Sequence, residues 1–341
     1  MTRPNQINVM RVGQMNVRGL GLGKYEDICK ELEEQHMDVV GITETHLRGG
    51  GCLRSGKYEL VYKGRNKQQT KGGGVGIIVR SEVGFEIEEI NVGENEMSED
   101  IFAVKIEYAT TMNERMQMVM IVCYMTVEGV RSERENREKY ACIKKVLDEY
   151  NNEMIVVMGD MNGHVGILGE PVNKNGELLN EFVFENELEN LNVTMSEGKV
   201  TWSSKENSSA IDYILVNENA RRKVMCMWVD EAGVFDIRSD HNMLVTELKT
   251  HDTYVREPDK KFKWRVKGVN WDNFSAKLTD TEWEVTNDVN GMNDQLKKCM
   301  NEAARDTCTR TSKNVCKNRR KNEKWWRNDV KLARNEQKRL N

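Results

Sequence analysis

Several short apolar segments of this sequence end at, or lead into, a carboxylate, amide, phenol or imidazole side chain. The residues at these positions are Asn16, Glu44, Tyr124, Asp160, Asn162, Asp212, Asp240 and His241. If the segments are strands whose ends lie side by side, these groups form one acidic, amide-rich pocket. Oxygen ligands without cysteine favour Mg²⁺ or Mn²⁺ over zinc, and few protein carboxylates leave coordination positions open for water and a substrate phosphate. The pattern therefore indicates metal-assisted chemistry on a phosphate ester.

The elements that must position these groups are predicted by hydrophobic periodicity. Apolar runs rich in β-branched residues predict nine strands, at 9–16, 37–43, 74–80, 102–108, 118–124, 154–158, 210–216, 225–229 and 243–248. Helical spacing predicts helices at 25–35, 134–150 and 178–191. The strands are short and nearly continuous in apolar character, which suits sheets buried on both faces. We therefore expect a mixed α/β domain in which two sheets form a sandwich with helices packed outside.

A change in composition after Leu248 predicts a domain boundary. Residues 249–261 are polar and contain Pro258, so we place one domain at 1–250 and an extension at 251–341. The extension lacks a strand pattern, and an amphipathic pattern near 292–304 predicts a helical, linker-like segment. The chain has a net charge of −4, yet residues 305–341 hold thirteen Lys and Arg against four Asp and Glu. The basic charge is therefore a feature of the C-terminal end, where it is compatible with phosphate binding.

Composition excludes several classes of protein. Hydrophobic residues make up 38% of the chain, and no apolar run approaches the roughly 18 to 20 residues of a membrane span. The N-terminus shows no apolar core of a signal peptide, so we expect a nuclear or cytoplasmic protein that is not secreted and has no membrane partner. The eight cysteines form no Cys-x-x-Cys pair, which favours reduced, structural thiols.

Five separated motifs resemble those of the endonuclease/exonuclease/phosphatase superfamily, the deoxyribonuclease I-like proteins, and occur in the same order. They are Asn16, Ile-Thr-Glu-Thr-His-Leu at 42–47, Gly-Asp-Met-Asn at 159–162, Ser-Ala-Ile-Asp-Tyr-Ile-Leu at 209–215, and Ser-Asp-His at 239–241. Within the superfamily the chain most resembles the endonuclease domain of LINE-type non-LTR retrotransposons. The segments that carry this finer resemblance are Asn-Val-Arg-Gly-Leu at 16–20, Gly-Gly-Gly-Val-Gly at 72–76 and Thr-Trp at 201–202.

The resemblance implies a four-layer α/β/β/α sandwich with a C-terminal helical extension. It also implies a Mg²⁺-dependent endonuclease, with Mn²⁺ as an alternative metal, that hydrolyses DNA phosphodiester bonds by nicking. Glu44 is implied as the main metal ligand, Asn16 as the metal-site residue beside it that orients metal or phosphate, and Asp240 as a residue that binds or orients metal or water. The same scaffold also cleaves inositol phosphates, sphingomyelin and RNA tails, so the preference for DNA depends on the retrotransposon-like motifs.

The remaining motif residues are implied to act directly on the phosphate and the attacking water. Asp160 would activate or orient the water or handle the proton of the leaving group, and Asn162 would hydrogen-bond the phosphate or the nucleophile. His241 would donate to a phosphate oxygen, while Asp212 accepts its other N–H and fixes the tautomer. Tyr124 would place its hydroxyl near the phosphate.

Taken singly, these residues have commoner interpretations, and two departures weaken the match. A strand-end glutamate is usually solvated, and Gly-Asp-x-Asn is frequent in turns. Tyr124 is followed by Met-Thr-Val-Glu-Gly rather than a Pro-Asn-containing loop, and Gln14-Met15 replaces a small hydroxyl residue and a tryptophan. A catalytically weak or inactive nucleic-acid-binding or scaffold protein is therefore the alternative function. His46 and His164 are left out of the predicted site, because a surface role explains them equally well.

The basic end has more than one interpretation. Arg319, Arg320 and Lys321 precede Trp325 and Trp326, which combines phosphate-neutralising charge with stacking surface. Contact with RNA or DNA and nuclear localisation use the same residues. Residues 324–331 are similar to the stretch that precedes a reverse transcriptase in such elements, and no polymerase sequence is present. A truncated element and a host protein derived from one both remain open, as does the oligomeric state.

Overall fold

The computed structural model describes residues 9–21, 23–65, 72–93, 99–109, 115–250, 263–265, 271–279, 299–300, 303 and 309–311. The chain divides into compact units, the first running to His251 and the second from Asp252 to Asn322. Most of the extension, including its basic end, lies outside the described residues. None of the described helices is both long and apolar enough to cross a membrane.

The described elements alternate between strands and helices. The strands are β1 (Val9–Asn16), β2 (Val39–Thr43), β3 (Gly50–Ser55), β4 (Tyr58–Lys63), β5 (Val75–Arg80), β6 (Glu86–Ile90), β7 (Ile101–Ala109), β8 (Arg115–Tyr124), β9 (Met154–Asp160), β10 (Glu189–Asn190), β11 (Trp202–Ser203), β12 (Ser208–Ser209), β13 (Asp212–Val216), β14 (Val224–Val229), β15 (Leu244–Lys249), β16 (Lys263–Arg265) and β17 (Thr309–Thr311). The α-helices are α1 (Lys24–Glu34), α2 (Ser132–Glu149), α3 (Lys174–Glu185), α4 (Leu191–Met195), α5 (Glu218–Arg221) and α6 (Trp271–Thr279).

Two mixed sheets form the centre of the first unit. One has seven strands in the order β14-β15-β1-β2-β5-β4-β3, and the other has six in the order β10-β13-β9-β8-β7-β6. Within these sheets β1 and β2 run parallel, as do β8 and β9, whereas the other neighbours are antiparallel. Parallel neighbours end at the same edge of a sheet, so the sites at the ends of β1 and β2, and of β8 and β9, are adjacent.

Three hydrophobic cores hold the layers together. The core between the sheets joins residues such as Val12 and Ile77 of the seven-stranded sheet to Val122 and Met158 of the six-stranded sheet. A second core packs α2 and α3 on the outer face of the six-stranded sheet. A third packs α1 on the outer face of the seven-stranded sheet. The layers therefore follow the order α/β/β/α, as the sequence predicts.

The structure adds short elements that the sequence does not predict and moves one boundary. β3 is exposed along nearly its whole length, so it offers no apolar run to detect. The helix expected over 178–191 occupies Lys174–Glu185 instead. It ends because Asn186 caps it and Glu187 adopts a φ of +52°, which does not continue a right-handed helix. The second unit, expected to be helical, contains α6 and also the antiparallel pair β16–β17 in its described parts.

Candidate active site

The strand register brings most of the predicted site residues to one edge of the sandwich. In the six-stranded sheet Asp160 pairs with Tyr124 on one side and with Asp212 on the other. In the seven-stranded sheet Asn16 pairs with Thr43, the residue that precedes Glu44. β13 and β15 run antiparallel to β9 and β1, so their first residues lie beside the last residues of those strands. The side chains therefore converge from both sheets.

Asp212 and His241 form a buried pair. The Nδ1 atom of His241 lies 2.8 Å from the Oδ2 atom of Asp212, and both residues are almost inaccessible to solvent. Thr201 donates its hydroxyl to Oδ2 of Asp212 at 2.9 Å, and Gln14 donates its amide to Oδ1 at 3.2 Å. These contacts hold Asp212 in place and fix the ring of His241 with Nδ1 toward the carboxylate. Its Nε2 atom is left as the nitrogen able to serve a substrate.

The charge around His241 favours the protonated imidazolium. Burial lowers the pKa of His241, but the carboxylates of Asp212, Asp160 and Asp240 outweigh it and raise the pKa to about 9. At neutral pH the ring is therefore a cation that can donate a proton or a hydrogen bond. We refer to Asp160, Asp212 and His241 as the site cluster.

Asn16 ties the site cluster to Glu44. Its Nδ2 atom donates to Oε1 of Glu44 at 3.0 Å and to Oδ2 of Asp160 at 2.9 Å. Burial raises the pKa of Asp160, the nearby Asp212 raises it further, and His241 and Asn16 only partly offset this, so that the pKa is about 7. A carboxyl group with this pKa can take up a proton near neutral pH, which is the property of a general base.

Gly159 sets how closely Asp160 approaches its neighbours. Its φ is +152°, and a Cβ atom at this position would overlap the carbonyl oxygen of Cys123 on β8. Only glycine therefore allows β9 to approach β8 this closely. The glycine of the Gly-Asp-x-Asn motif thus has a steric role in positioning the aspartate.

Asn162 lies in a tight turn just after β9. Its φ is +47°, its backbone N–H donates to Oδ1 of Asp160 at 3.0 Å, and its Nδ2 atom donates to the carbonyl of Met125 at 2.8 Å. Asparagine tolerates the left-handed conformation better than most residues, which explains part of its use here. One amide proton is engaged by Met125, so the second is the one left for a phosphate or nucleophile.

Tyr124 occupies the end of β8 beside Glu44. Burial raises the pKa of Tyr124 well above its ordinary value, and the carboxylates of Glu44 and Asp160 raise it further. The phenol is therefore neutral at physiological pH and acts only as a hydrogen-bonding group. The guanidinium of Arg65 lies 5.9 Å from the centre of its ring, within the range of a cation–π contact.

Asp240 carries an oxygen atom with no hydrogen-bond partner. Its Oδ2 atom accepts from Nη1 of Arg18 at 2.7 Å and from Nε1 of Trp202 at 3.0 Å. Its Oδ1 atom is buried, has no hydrogen-bond donor and lies 3.9 Å from Nε2 of His241. A buried carboxylate oxygen without a partner costs free energy unless a cation or proton satisfies it. This atom is therefore suited to contact a cation.

Two groups of residues could hold a divalent metal. Ligand atoms of Asp160, Asp212 and His241 all lie within 4.8 Å of one another. Both oxygens of Asp212 already accept hydrogen bonds and one of them contacts Nδ1 of His241, so a metal bound by these three residues would displace existing contacts. Glu44 and Asp240 offer oxygens that are less fully engaged, and their all-oxygen chemistry fits Mg²⁺ or Mn²⁺.

The residues left outside the predicted site have ordinary positions. Nε2 of His46 lies 3.6 Å from Oε2 of Glu44 but its side chain is 44% exposed, and His164 is held in a loop through its backbone. The glycines at 72–74 have positive φ values and lead into β5, where a Cβ on Gly74 would overlap the hydroxyl of Thr45. Sequence reasoning missed Gln14, Thr201 and Arg18, because their partners are distant in the chain or in another motif.

Comparison with known proteins supports the fold of this domain. A family model described as endonuclease-reverse transcriptase matches residues 118–245. The endonuclease domain of TRAS1, a telomere-specific non-LTR retrotransposon, has a similar structure, with a TM-score of 0.53 and 19% identity over 71% of this chain and 98% of that chain. The likeness shows that the two domains share a fold.

Other similar proteins support the same fold. The catalytic domain of Xenopus laevis APE2 has a TM-score of 0.56 and 13% identity over 70% of this chain and 92% of that chain. By sequence, the chain is 24% identical over 268 residues to craniofacial development protein 2 of Bos taurus. That match covers 74% of this chain and 43% of the relative, so the chain spans less than half the length of that protein.

Proposed function

We propose that residues 1–250 form a metal-dependent endonuclease domain that nicks DNA. The observation that carries this proposal is the convergence of a buried Asp–His pair, a carboxyl group with a pKa near 7 and an unpartnered carboxylate oxygen at one edge of the sandwich. Together these would supply a proton donor, a proton acceptor and a carboxylate oxygen for a cation at one edge of the sandwich, which is what hydrolysis of a phosphodiester needs.

Glu44, Asn16 and Asp240 are the residues that would hold Mg²⁺, or Mn²⁺ in its place. When bound, the ion supplies positive charge that stabilises the additional negative charge of the transition state. Arg18 pairs with the Oδ2 atom of Asp240, which leaves the Oδ1 atom of Asp240 available for a cation.

The site cluster supplies the proton chemistry. Asp160 accepts a proton from the attacking water, whose oxygen forms the new bond to phosphorus as the bond to the leaving sugar oxygen breaks, and the leaving oxygen takes up a proton from solvent water. His241 donates from Nε2 to a phosphate oxygen, and Asp212 stabilises the resulting charge distribution on the ring. Asn162 and Tyr124 provide further hydrogen bonds to the phosphate or the water.

DNA is the substrate that the available features favour. The retrotransposon-like motifs and the description of the matching family model support it, and similar folds occur in apurinic-site endonucleases and in a retrotransposon endonuclease domain. Likeness of fold does not choose among phosphodiesters, so the choice of DNA depends on the motifs. An inactive nucleic-acid-binding protein is the competing hypothesis.

A plasmid-nicking assay tests the proposal. Supercoiled DNA is incubated with the purified full chain and Mg²⁺, and formation of open circles is compared among wild type, Asp160→Ala and His241→Ala. We expect each variant to be slower than wild type by about 100-fold or more, since each removes a proton-transfer group. Asp148→Ala and His36→Ala, which change exposed residues of the same types, serve as matched controls.

Each outcome decides between the two hypotheses. Nicking by wild type and both controls that disappears with EDTA and in both site variants excludes the inactive protein. A trace of nicking that is equal in all five proteins would instead show a contaminating nuclease, and the enzymatic proposal would fail.

A further inference from the structure

Besides Ser132 at its first position, helix α2 buries two polar side chains, Asn136 and Lys139. Asn136 is 1% exposed and Lys139 is 2% exposed, although apolar residues such as Ile143 occupy the other buried positions of this helix. Lysine and asparagine are rarely buried so completely unless every polar atom has a partner. Their partners therefore indicate what they are for.

Lys139 holds the end of strand β8. Its Nζ atom donates to the carbonyl oxygen of Tyr124 at 2.8 Å and to the hydroxyl of Thr126 at 3.3 Å. It also donates to Oδ2 of Asp100 at 2.8 Å. The ammonium group thus uses its donors to fix the backbone of the tyrosine whose ring faces the candidate site.

Asn136 and Asn175 hold the next part of the same loop. Asn136 accepts from the backbone N–H of Thr126 at 2.8 Å and donates to its carbonyl at 3.0 Å. Asn136 also donates to Oδ1 of Asn175 on α3 at 3.0 Å. Asn175 donates to the carbonyls of Thr126 at 2.9 Å and of Asn162 at 2.8 Å. The two amides therefore join the loop after Tyr124 to the turn that follows Asp160.

Asp100 fixes Lys139 and is itself fixed by Arg65. The guanidinium of Arg65 forms two hydrogen bonds to the carboxylate of Asp100, at 2.8 and 2.6 Å. A bidentate contact of this kind sets both the position and the orientation of a carboxylate. The same guanidinium lies over the ring of Tyr124. Contacts from two directions therefore limit the freedom of Tyr124.

We propose that Lys139, Asn136 and Asn175 form a polar clamp that positions Tyr124 and Asn162 for the reaction. None of the three touches the phosphate site, so they are positioning residues rather than catalytic ones. The inference rests on the proposed function and extends it, because it assigns activity to groups on α2 and α3. The loop it holds is the segment after Tyr124 that departs from the superfamily pattern.

A double-mutant cycle distinguishes positioning from a general structural role. Lys139→Met keeps the length of the side chain and leaves Asp100 paired with Arg65. We expect it to lower kcat for nicking about tenfold to 100-fold with KM changed less than about twofold, since small displacements of positioned groups affect kcat strongly. In a Tyr124→Phe background the same change should cost less than about threefold, because the group through which it acts is already lost. An equal loss of kcat in both backgrounds would overturn the proposal that Lys139 acts through Tyr124, which is the first arm of the clamp.

The second arm is tested in the same way at Asn162. Asn175→Ala should slow nicking in wild type and have little effect in Asn162→Gly, a variant in which glycine adopts the positive φ of this position without strain. Asn175→Ala leaves the contacts of Lys139 intact, so it carries the test if Lys139→Met does not fold. Equal losses in both backgrounds would contradict the assignment.

A spectroscopic measurement separates failure of the clamp from failure of the proposed function. The full chain is labelled with 3-fluorotyrosine, and the ¹⁹F resonance of Tyr124 is assigned through Tyr124→Phe. Lys139→Met should shift or broaden this resonance, whereas Lys144→Met, at an exposed position of the same helix, should leave it unchanged. An unchanged resonance in Lys139→Met would overturn the clamp. If wild type does not nick DNA, the proposed function fails, and this resonance still decides whether Lys139 positions Tyr124.

Discussion

Two buried groups of charged side chains lie on either side of Tyr124, and they are built on opposite principles. In the site cluster, Asp160 and Asp212 face a single imidazolium, and burial and like charge raise the pKa of Asp160 to about 7. On the other side Asp100 lies between Arg65 and Lys139. Burial tends to raise the pKa of Asp100, but the hydrogen bonds and charges of these two cations outweigh it and lower the pKa.

The two clusters differ in function: the site cluster can change its protonation state during a reaction, whereas the Asp100 cluster keeps its neighbours in one geometry. A carboxylate with too few positive partners gains stability from a proton or a cation, so its state changes during a reaction. A carboxylate between two cations keeps one state over a wide range of pH and keeps its neighbours in one geometry. Both clusters contact the strand end that carries Tyr124, one through Asp160 and the other through Lys139.

The largest expected effect comes from removing the charge of Asp100. Asp100→Asn leaves Lys139 buried without its anion, and we expect the free energy of unfolding to fall by about 3–5 kcal/mol at pH 7. The folded pKa of Asp100 lies below its ordinary value of 3.8, so its stabilisation is complete above that pH and is lost as pH falls through the folded pKa. Urea unfolding from pH 3 to pH 7 measures both. Asp148→Asn, at an exposed position of α2, is the control. If Asp100→Asn loses no more stability than this control, Asp100 does not stabilise the fold through Arg65 and Lys139.

Asp160→Asn should cost much less stability than Asp100→Asn. With EDTA at pH 8 the variant removes a buried charge beside Asp212, which offsets the hydrogen bond lost because asparagine keeps one acceptor for Asn16 and Asn162, so we expect the free energy of unfolding to change by less than about 1 kcal/mol. The folded pKa of about 7 is raised, so the penalty in wild type is complete above pH 7, shrinks as pH falls, and vanishes below 3.8. The same urea experiment detects it. If Asp160→Asn is destabilised as strongly as Asp100→Asn, the two clusters do not differ in the way proposed.

The smallest effect is a shift in one titration. In the metal-free protein the ring of His241 should titrate near pH 9, and Asp212→Asn should lower that pKa. The pKa of His241 should fall in this variant because burial lowers it and Asp212 is the strongest of the groups that raise it. NMR of the ring protons, assigned through His241→Ala, follows the titration, and His36 provides an internal reference. A pKa that stays near 9 in Asp212→Asn would show that a group other than Asp212 stabilises the protonated ring.

The fold was largely predictable because its central strands are buried on both faces. All nine predicted strands have counterparts, and the four strands of the two large sheets that were missed, β3, β4, β6 and β10, lie at or next to the edges of their sheets. β6 shows why: the sequence Glu-Ile-Glu-Glu-Ile is mostly exposed, so it carries too few apolar residues to signal a strand. Hydrophobic periodicity therefore predicts strands that are buried and misses strands that are exposed.

The candidate site was predictable for a different reason, and only in part. Motif order placed residues such as Asp212 and His241 together, and the structure does bring them within hydrogen-bonding distance. The support behind them was invisible, since Gln14 reaches Asp212 across 198 residues of sequence. Lys139 was harder still. On an amphipathic helix a lysine predicts a solvated position, and only the tertiary partners Asp100 and Tyr124 reverse that expectation.

The link between Asn175 and Asn162 has a consequence for how a ligand enters. The bonds that join Thr126, Asn136, Asn175 and Asn162 involve no residue assigned to the metal and no atom of a substrate. The shape of this wall of the pocket is therefore set during folding, before a cation or a nucleic acid arrives. Preorganisation of this kind lowers the entropy lost on binding. We therefore expect the backbone on this side of the site to keep the same conformation when a ligand binds.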